Sequence, residues 1–393
     1  MGLVAAILGL AILVMIHEAG HFFAARAVGM TPRKFYLGFG PPIVKTTRSG
    51  VEYGIGSIPL GGYVKIPGMN RPSPGDLAAT LKPEDRERHR AELARLDDAI
   101  EREDYGAARG YLEDLRPELG ETRMWQEIEW SLAPDAYWRQ ATWRRLTAIF
   151  AGPAVNLVFA LVLFACLFML AAERSTNVIG RVVAGSPAAA AQVHKGDRIL
   201  RVDGQKVDPG DIPAHIRATE GEPFRLVVMR DGKRVVLGPL RAKQDGGAYR
   251  IGVAIEARTG PGESPPAAIR DASRLTWDIT SQTVQGIGHL ATGRDTNQVS
   301  SSVGIVRVSA QAWRQGARDF LFVLGLVSLA LGLLNLLPVL PLDGGHIVMA
   351  LVEKVRGRTF RQAVYVRYSV VGLTLFAVLM YFGLRNDLFG GGG

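Results

Sequence analysis

Cysteine is nearly absent from this chain: Cys166 is the single one among 393 residues. A lone thiol excludes an intramolecular disulfide, and its place within an apolar run argues against thiolate metal chemistry. Zinc-finger spacing is missing, and so are interleaved aromatic and basic residues. The net charge of +9 therefore does not describe a nucleic-acid face. Charged side chains are scarce in four long stretches, around 3–28, 146–172, 320–337 and 364–384. Hydrophobic residues make up 48% of the chain, and gathering them into such runs points to membrane spans rather than one large soluble core. Basic residues collect beside the runs, as cytoplasmic flanks do. A cleaved signal peptide is excluded for the first run, which lacks a basic leading segment and continues past its polar residues.

What the first run does hold is His17-Glu18-Ala19-Gly20-His21. On a helix, residues four apart share a face, so His17 and His21 can present imidazoles to one metal ion. Glu18 is one step round, where its carboxylate can act as general base toward a water. The pattern His-Glu-x-x-His is the zinc metalloprotease signature. Such a pentapeptide also arises by chance on soluble helices. Inside a membrane span, however, each ionisable side chain costs roughly 2.5–3.5 kcal/mol on insertion, and three within five residues require a compensating partner. A divalent cation supplies it.

The first span, residues 1–30, is followed by Arg33 and Lys34, which places its C-terminal end in the cytoplasm. His17 then lies roughly 21 Å into the span, towards the cytoplasmic side. Residues 31–69 read as a membrane-associated β-rich loop, with strands at 43–47 and 51–57 and a turn at Arg48-Ser49-Gly50. Gly54, Ile55, Gly56, Gly61 and Gly62 belong to it. A protease needs its substrate extended, so this segment is expected to offer a free edge to an unwound substrate; the alternative is a hairpin packed on the membrane surface. Residues 70–145 are charged and read as solvated cytoplasmic helices, with His89 exposed. Trp125, Trp130, Trp138 and Trp143 precede the second span and read as interfacial anchors.

The second span, 146–172, carries Gly152-Pro153 and Asn156. Asn156 either reaches the active site or makes a helix-packing hydrogen bond. Residues 173–258 form a soluble domain with β-type runs at 178–183, 198–202, 224–229, 235–237 and 251–253. Residues 259–318 read as a linker and amphipathic helices, 267–290 and 309–318, on the outer membrane surface. The third span, 319–346, ends in Asn335-Leu336-Leu337-Pro338-Val339-Leu340-Pro341-Leu342-Asp343-Gly344-Gly345-His346. Prolines break a helix, and irregular backbone at membrane depth needs protein cover or a wet cavity. It runs in the same direction as the first span, so Asp343 comes to the depth of His17 and His21 as third ligand, with His346 as rival. A cytoplasmic loop, 347–363, and a fourth span, 364–385, complete the chain.

These motifs together resemble the site-2 protease family of intramembrane zinc metalloproteases, in its bacterial regulator of sigma-E protease branch. The resemblance rests on His17-Glu18-x-x-His21, on Asn335-x-x-Pro338-x4-Asp343-Gly344, and on Gly152-Pro153-x-x-Asn156. Pro59-Leu60-Gly61-Gly62-Tyr63-Val64-Lys65 adds to it, and the domain at 173–258 resembles a PDZ domain through Ser186-Pro187-Ala188 and Gly196-Asp197-Arg198-Ile199. The best-known members carry two tandem PDZ domains, whereas this sequence has room for one. The resemblance implies one Zn2+ ion, and a cleft shaped by Asn335, Pro338 and Pro341. It implies a single-span membrane protein as substrate, such as an anti-sigma factor, first cut by an upstream site-1 protease. The expected fold class is a polytopic α-helical membrane protein of four transmembrane helices, with a membrane-associated β-hairpin or sheet and an inserted α+β PDZ domain. The expected location is the bacterial inner membrane, with membrane lipid around the spans, no nucleic acid partner, and the PDZ domain periplasmic. A membrane-embedded metal transporter would need further ionisable residues through the spans, and the second and fourth offer almost none. A non-catalytic PDZ scaffold would have no use for Glu18.

Overall fold

The computed structural model of the chain describes residues 1–120, 122–170, 172–208, 210–245, 248–291 and 302–389. The chain separates into two compact units, Met1–Leu167 with Ile269–Gly393, and Phe168–Ala268. Among the described residues four helices are long and apolar enough to cross a membrane. The first, α1 (Gly2–Ala27), carries Arg26 in its last turn, where a cation complements the helix dipole.

Two long strands follow, β1 (Lys34–Arg48) and β2 (Val51–Lys65), turning at Ser49 and Gly50. Both extend well beyond the expected strand segments. Each also folds over itself, because Gly38, Gly40 and Gly61 take positive φ and Pro41-Pro42 interrupts pairing. Val44–Arg48 pairs with Val51–Ile55, while Lys34–Leu37 lies beside both Glu52–Ile55 and Gly62–Lys65. Gly54 and Ile55 therefore have backbone neighbours on both flanks. This corrects the expectation of a free edge there. Among the described residues, no further strand pairs with Gly62–Lys65, so that segment forms an edge of the sheet.

The charged stretch folds as α2 (Pro83–Arg88), α3 (Arg90–Glu101), α4 (Tyr105–Leu119) and α5 (Arg123–Leu132). These helices are not merely solvated. Leu93, Leu96 and Ile100 on α3, with Ala108, Leu112 and Leu115 on α4, build a buried core with Trp125 and Ile128. Their 3–4-residue spacing is hidden in the sequence by the charges between them. Of the tryptophans expected as membrane anchors, Trp125 belongs to this core, and the half-buried Trp138 is tied to the protein backbone. The Trp125 indole donates to Leu112 O at 3.2 Å, and that of Trp138 to Ser131 O at 2.8 Å. His89, expected exposed, is buried and 3.3 Å from Glu118. Next, α6 (Thr142–Met169) starts four residues before the apolar run, taking Arg145 into its first turns.

The second unit holds β3 (Ala172–Val182), α7 (Pro187–Ala190), β4 (Arg198–Val202), β5 (Gln205–Lys206), α8 (Ile212–Arg217), β6 (Pro223–Arg230), β7 (Lys233–Arg241), β8 (Lys243–Asp245), β9 (Ala248–Arg250) and β10 (Val253–Gly260). Its main sheet runs β10-β3-β4-β6-β7 with β5 on β4, and β8 pairs with β9. Alternate residues Phe224, Leu226 and Val228 of β6 point into a core with Ile179, Ile199 and Ile216. Ser186 caps α7, its hydroxyl accepting from the Ala189 N–H at 3.2 Å. Asp197, almost fully buried, accepts a two-pronged contact from Arg230 at 2.7 and 2.6 Å and the His194 N–H at 2.8 Å.

The chain then forms α9 (Pro265–Ala291), α10 (Ser302–Gln315), α11 (Ala317–Asn335), α12 (Asp343–Arg356) and α13 (Gln362–Phe389). The second amphipathic helix, α10, packs against α1 and α11. The segment expected as the loop 347–363 is mostly α12, which Gly357 ends in a left-handed conformation.

Candidate active site

Each ligand candidate is placed by a different constraint. His17 and His21 share one face of α1 with Leu13 and Gly20, all buried. At Gly20 that face meets α6 so closely that a Cβ there would lie 2.7 Å from Ala151 O. A Cβ on Gly152 of α6 would lie 2.2 Å from His21 Nε2, so only glycine leaves room for the imidazole. The neighbouring Ala148 carbonyl sits 2.9 Å from His21 Nδ1. That carbonyl accepts a hydrogen bond from Nδ1–H, which fixes the tautomer and leaves the Nε2 lone pair free for a ligand.

Asp343 arrives from the other end of the sequence. The chain leaves α11 at Asn335, whose side-chain amide donates to Leu331 O at 2.9 Å. It turns through Pro338 and Pro341 and re-enters a helix at Asp343. Tyr368 of α13 donates its hydroxyl to Pro338 O, tying down the turn.

The outcome is a cluster of three side chains whose ligand atoms are almost equidistant. His17 Nε2 and His21 Nε2 are 3.2 Å apart. Asp343 Oδ2 lies 3.2 Å from the first and 3.3 Å from the second. Four-coordinate zinc holds nitrogen and oxygen donors at about 2.0–2.1 Å, which sets neighbouring donors roughly 3.3 Å apart. The triangle fits one such ion, with a fourth position left for another ligand. Oδ2 of Asp343 is buried and has no hydrogen-bond partner. Three potential electron-pair donors converging on one point are what a cation would satisfy.

Glu18 stands beside this triangle under β2. A Cβ on Gly62 would lie 3.5 Å from Glu18 Cγ, and the Val64 backbone lies against the Glu18 carboxylate. The sheet edge at Gly62 and Val64 thus passes over the Glu18 side of α1, Gly61 next to it lies against Phe39, and Gly54, Ile55 and Gly56 lie in the interior of the sheet. His346, the rival ligand, falls outside the three-residue cluster; its ring stacks near Tyr365, with centroids 6.0 Å apart. Asn156 is fully buried and its side-chain amide has no partner, while its carbonyl accepts from Ser328 at 3.0 Å. The expected side-chain packing bond of Asn156 is not made.

Some contributors were not legible as such. Gly152 was visible only as part of a motif, and its steric role needs the partner helix. The buried pair Arg145–Glu353, 2.6 Å apart, joins α6 to α12, the helix that begins with Asp343. Nothing in the sequence marks two residues 208 positions apart as neighbours.

Comparison with known proteins bears on the same residues. The model of peptidase family M50 matches residues 5–379. A Mesorhizobium japonicum protein, mll0638, whose name places it among the zinc metalloproteases, is 30% identical, with 97% of this chain and 96% of the relative covered. The metalloprotease MmpA of Caulobacter vibrioides is 29% identical over 98% of this chain and 95% of its own. The Enterococcus faecalis protein eep, named as a protease, is 28% identical over 96% of both. With a match spanning nearly all of its length and a histidine–aspartate cluster among apolar helices, the chain belongs to peptidase family M50, the site-2 proteases, and is a membrane-embedded zinc metalloendopeptidase.

Proposed function

We propose that this enzyme cuts a peptide bond within the membrane-spanning segment of a single-span protein, with His17, His21 and Asp343 as zinc ligands and Glu18 as catalytic base. The observation that carries the reading is the near-equilateral triangle of ligand atoms, 3.2–3.3 Å on a side, with Glu18 next to it. Zinc held there supplies a Lewis acid for the scissile carbonyl and lowers the pKa of water. Glu18 removes the proton from the attacking water and returns it to the leaving amine. Ala148 O holds His21 in the ligating tautomer, and Gly152 gives the ring its place.

A helical substrate hides its carbonyls, so it has to be unwound before attack. The edge at Gly62 and Val64 is the part of the sheet beside Glu18, and an extended segment added there would lie over the base. Asn335, Pro338 and Pro341 are read as shaping the substrate cleft. The substrate class we infer is an anti-sigma-factor-like signalling protein, trimmed beforehand by a site-1 protease, in a bacterial inner membrane. The unit Phe168–Ala268 is read as a single PDZ-type domain on the periplasmic side, supported by its sheet and by the Ser186-capped turn.

The test uses the purified full chain and a tagged single-span substrate in membranes, with and without chelator. Wild-type cleavage should stop on chelation and return with zinc. Glu18→Gln should keep its zinc and lose cleavage by about 10²–10⁴-fold. Near-normal cleavage by a zinc-loaded Glu18→Gln enzyme would refute the assignment.

A further inference from the structure

A second concave feature shares no residue with the metal cluster. A cavity of about 480 Å³ opens where α12 ends and α13 begins, and its wall includes Arg71, Arg356, Arg358, Arg361 and Arg367. Glu101 is the one carboxylate in that wall. Arg71 is already paired, 2.9 Å from Glu103. Among the described residues, no carboxylate lies within 4.0 Å of the other four guanidinium groups. Arg356 stacks over Phe360, 4.2 Å from its centroid.

The backbone that carries these side chains is well tied. Arg71 and Arg361 form an isolated β-bridge. Glu353 accepts the Phe360 N–H at 2.6 Å, and Gly357 turns the chain out of α12. Ala363 and Val364, in the first turn of α13, also line the cavity, so the positive end of that helix dipole adds to the field. Positive charge alone is common on cytoplasmic flanks, but there it is scattered. Here it is gathered around one concavity, where like charges repel until an anion enters.

Two observations identify the anion. The guanidinium fork matches phosphate oxygens two at a time, which makes arginine the residue of phosphate recognition. And α13 is one of the apolar helices long enough to cross a membrane, so its first turn lies at the level of the lipid headgroups. At that level phosphate diesters are the most abundant anions. We propose that this cavity binds the phosphate of an anionic phospholipid headgroup. The inference rests on the membrane reading of α13 and not on the protease chemistry.

The test is native mass spectrometry of the full-length, detergent-released chain titrated with short-chain phosphatidylglycerol, phosphatidylcholine or inorganic phosphate. The wild type should retain phosphatidylglycerol in clear preference to phosphatidylcholine. The triple variant R358Q/R361Q/R367Q should need roughly a hundredfold more phosphatidylglycerol, since each basic residue near an anionic lipid contributes about fivefold. R198Q/R225Q/K233Q removes the same charge from exposed positions of the other unit and should bind as wild type. All six side chains are exposed, and melting without lipid verifies that each variant is folded. Equal retention of the two lipids, or equal loss in the two triple variants, would overturn the proposal. Displacement of phosphatidylglycerol by an equal concentration of inorganic phosphate would assign the cavity to a soluble phosphate and overturn the lipid assignment.

Discussion

Arg145 on α6 and Glu353 on α12 form a buried ion pair, 2.6 Å apart and each 4% exposed at the side chain. Glu353 also accepts the Phe360 N–H at 2.6 Å and the Tyr365 hydroxyl at 3.2 Å, and Arg145 lies over the Tyr137 ring. One carboxylate thus joins α6, α12 and the start of α13. Removing one partner strands the other charge. Glu353→Gln should cost about 3–5 kcal/mol, read as a lowered melting temperature of the purified chain. The double change Arg145→Met with Glu353→Leu should recover much of that loss, because no charge is left unpaired. If the single and double variants melt alike, the pair is not what holds α12.

Asp343 and His346 separate by metal analysis. Asp343→Asn should lower zinc affinity by at least roughly 10–100-fold, the cost of losing even an outer partner of a metal ligand. His346→Ala should keep zinc near wild-type occupancy, because His346 lies outside the three-residue cluster. The reverse pattern would transfer the third ligand to His346.

Gly152→Ala tests the steric argument. The added methyl would sit 2.2 Å from His21 Nε2 and cannot be accommodated without moving the ring. We expect overpacking of about 1–3 kcal/mol, with zinc occupancy and cleavage both reduced. Gly110→Ala on α4 meets open space and serves as control, gaining up to about 1 kcal/mol from helix propensity. Wild-type zinc content in Gly152→Ala would show that the seam between α1 and α6 can yield.

Acid should weaken the unit at Phe168–Ala268 through Asp197. Burial alone would raise this carboxyl, but the Arg230 guanidinium and the His194 N–H outweigh it and hold it below the ordinary carboxylate range. A carboxylate depressed on folding contributes stability that is complete above its unfolded pKa, about 3.9. That contribution fades as pH falls through the folded value. The wild type should therefore melt progressively lower on acidification below about pH 4, and Asp197→Asn should start lower at neutral pH and lose less. Parallel melting curves for the two proteins would refute this.

The legible part of the chain was the part encoded locally. Four apolar runs and His17-Glu18-x-x-His21 declare themselves through spacing on one helix. Asp343 could be paired with them because counting spans fixes direction. The helices of the charged stretch were legible but their core was not, because the apolar positions of α3 and α4 are diluted by charges on the other faces, and the core needs α3, α4 and α5 at once. The sheet was misread for a related reason. Strand propensity marks which residues are extended, but Gly38, Gly40 and Gly61 decide that each strand doubles back, and so which segment is the edge.

The seam between α1 and α6 restricts how a substrate can arrive. Gly20 faces Ala151 O with no side chain between them, Gly152 has no room for a methyl, and His21 is bound to Ala148 O. Parting these two helices would displace the His21 ring, which the proposed function makes a zinc ligand. On the proposed function, entry would then use another flank, and the flank where β2 overlies Glu18 carries the strand edge at Gly62–Lys65. In that reading the sheet would be a doorway as well as a template, delivering an already stretched segment to the proposed base, Glu18.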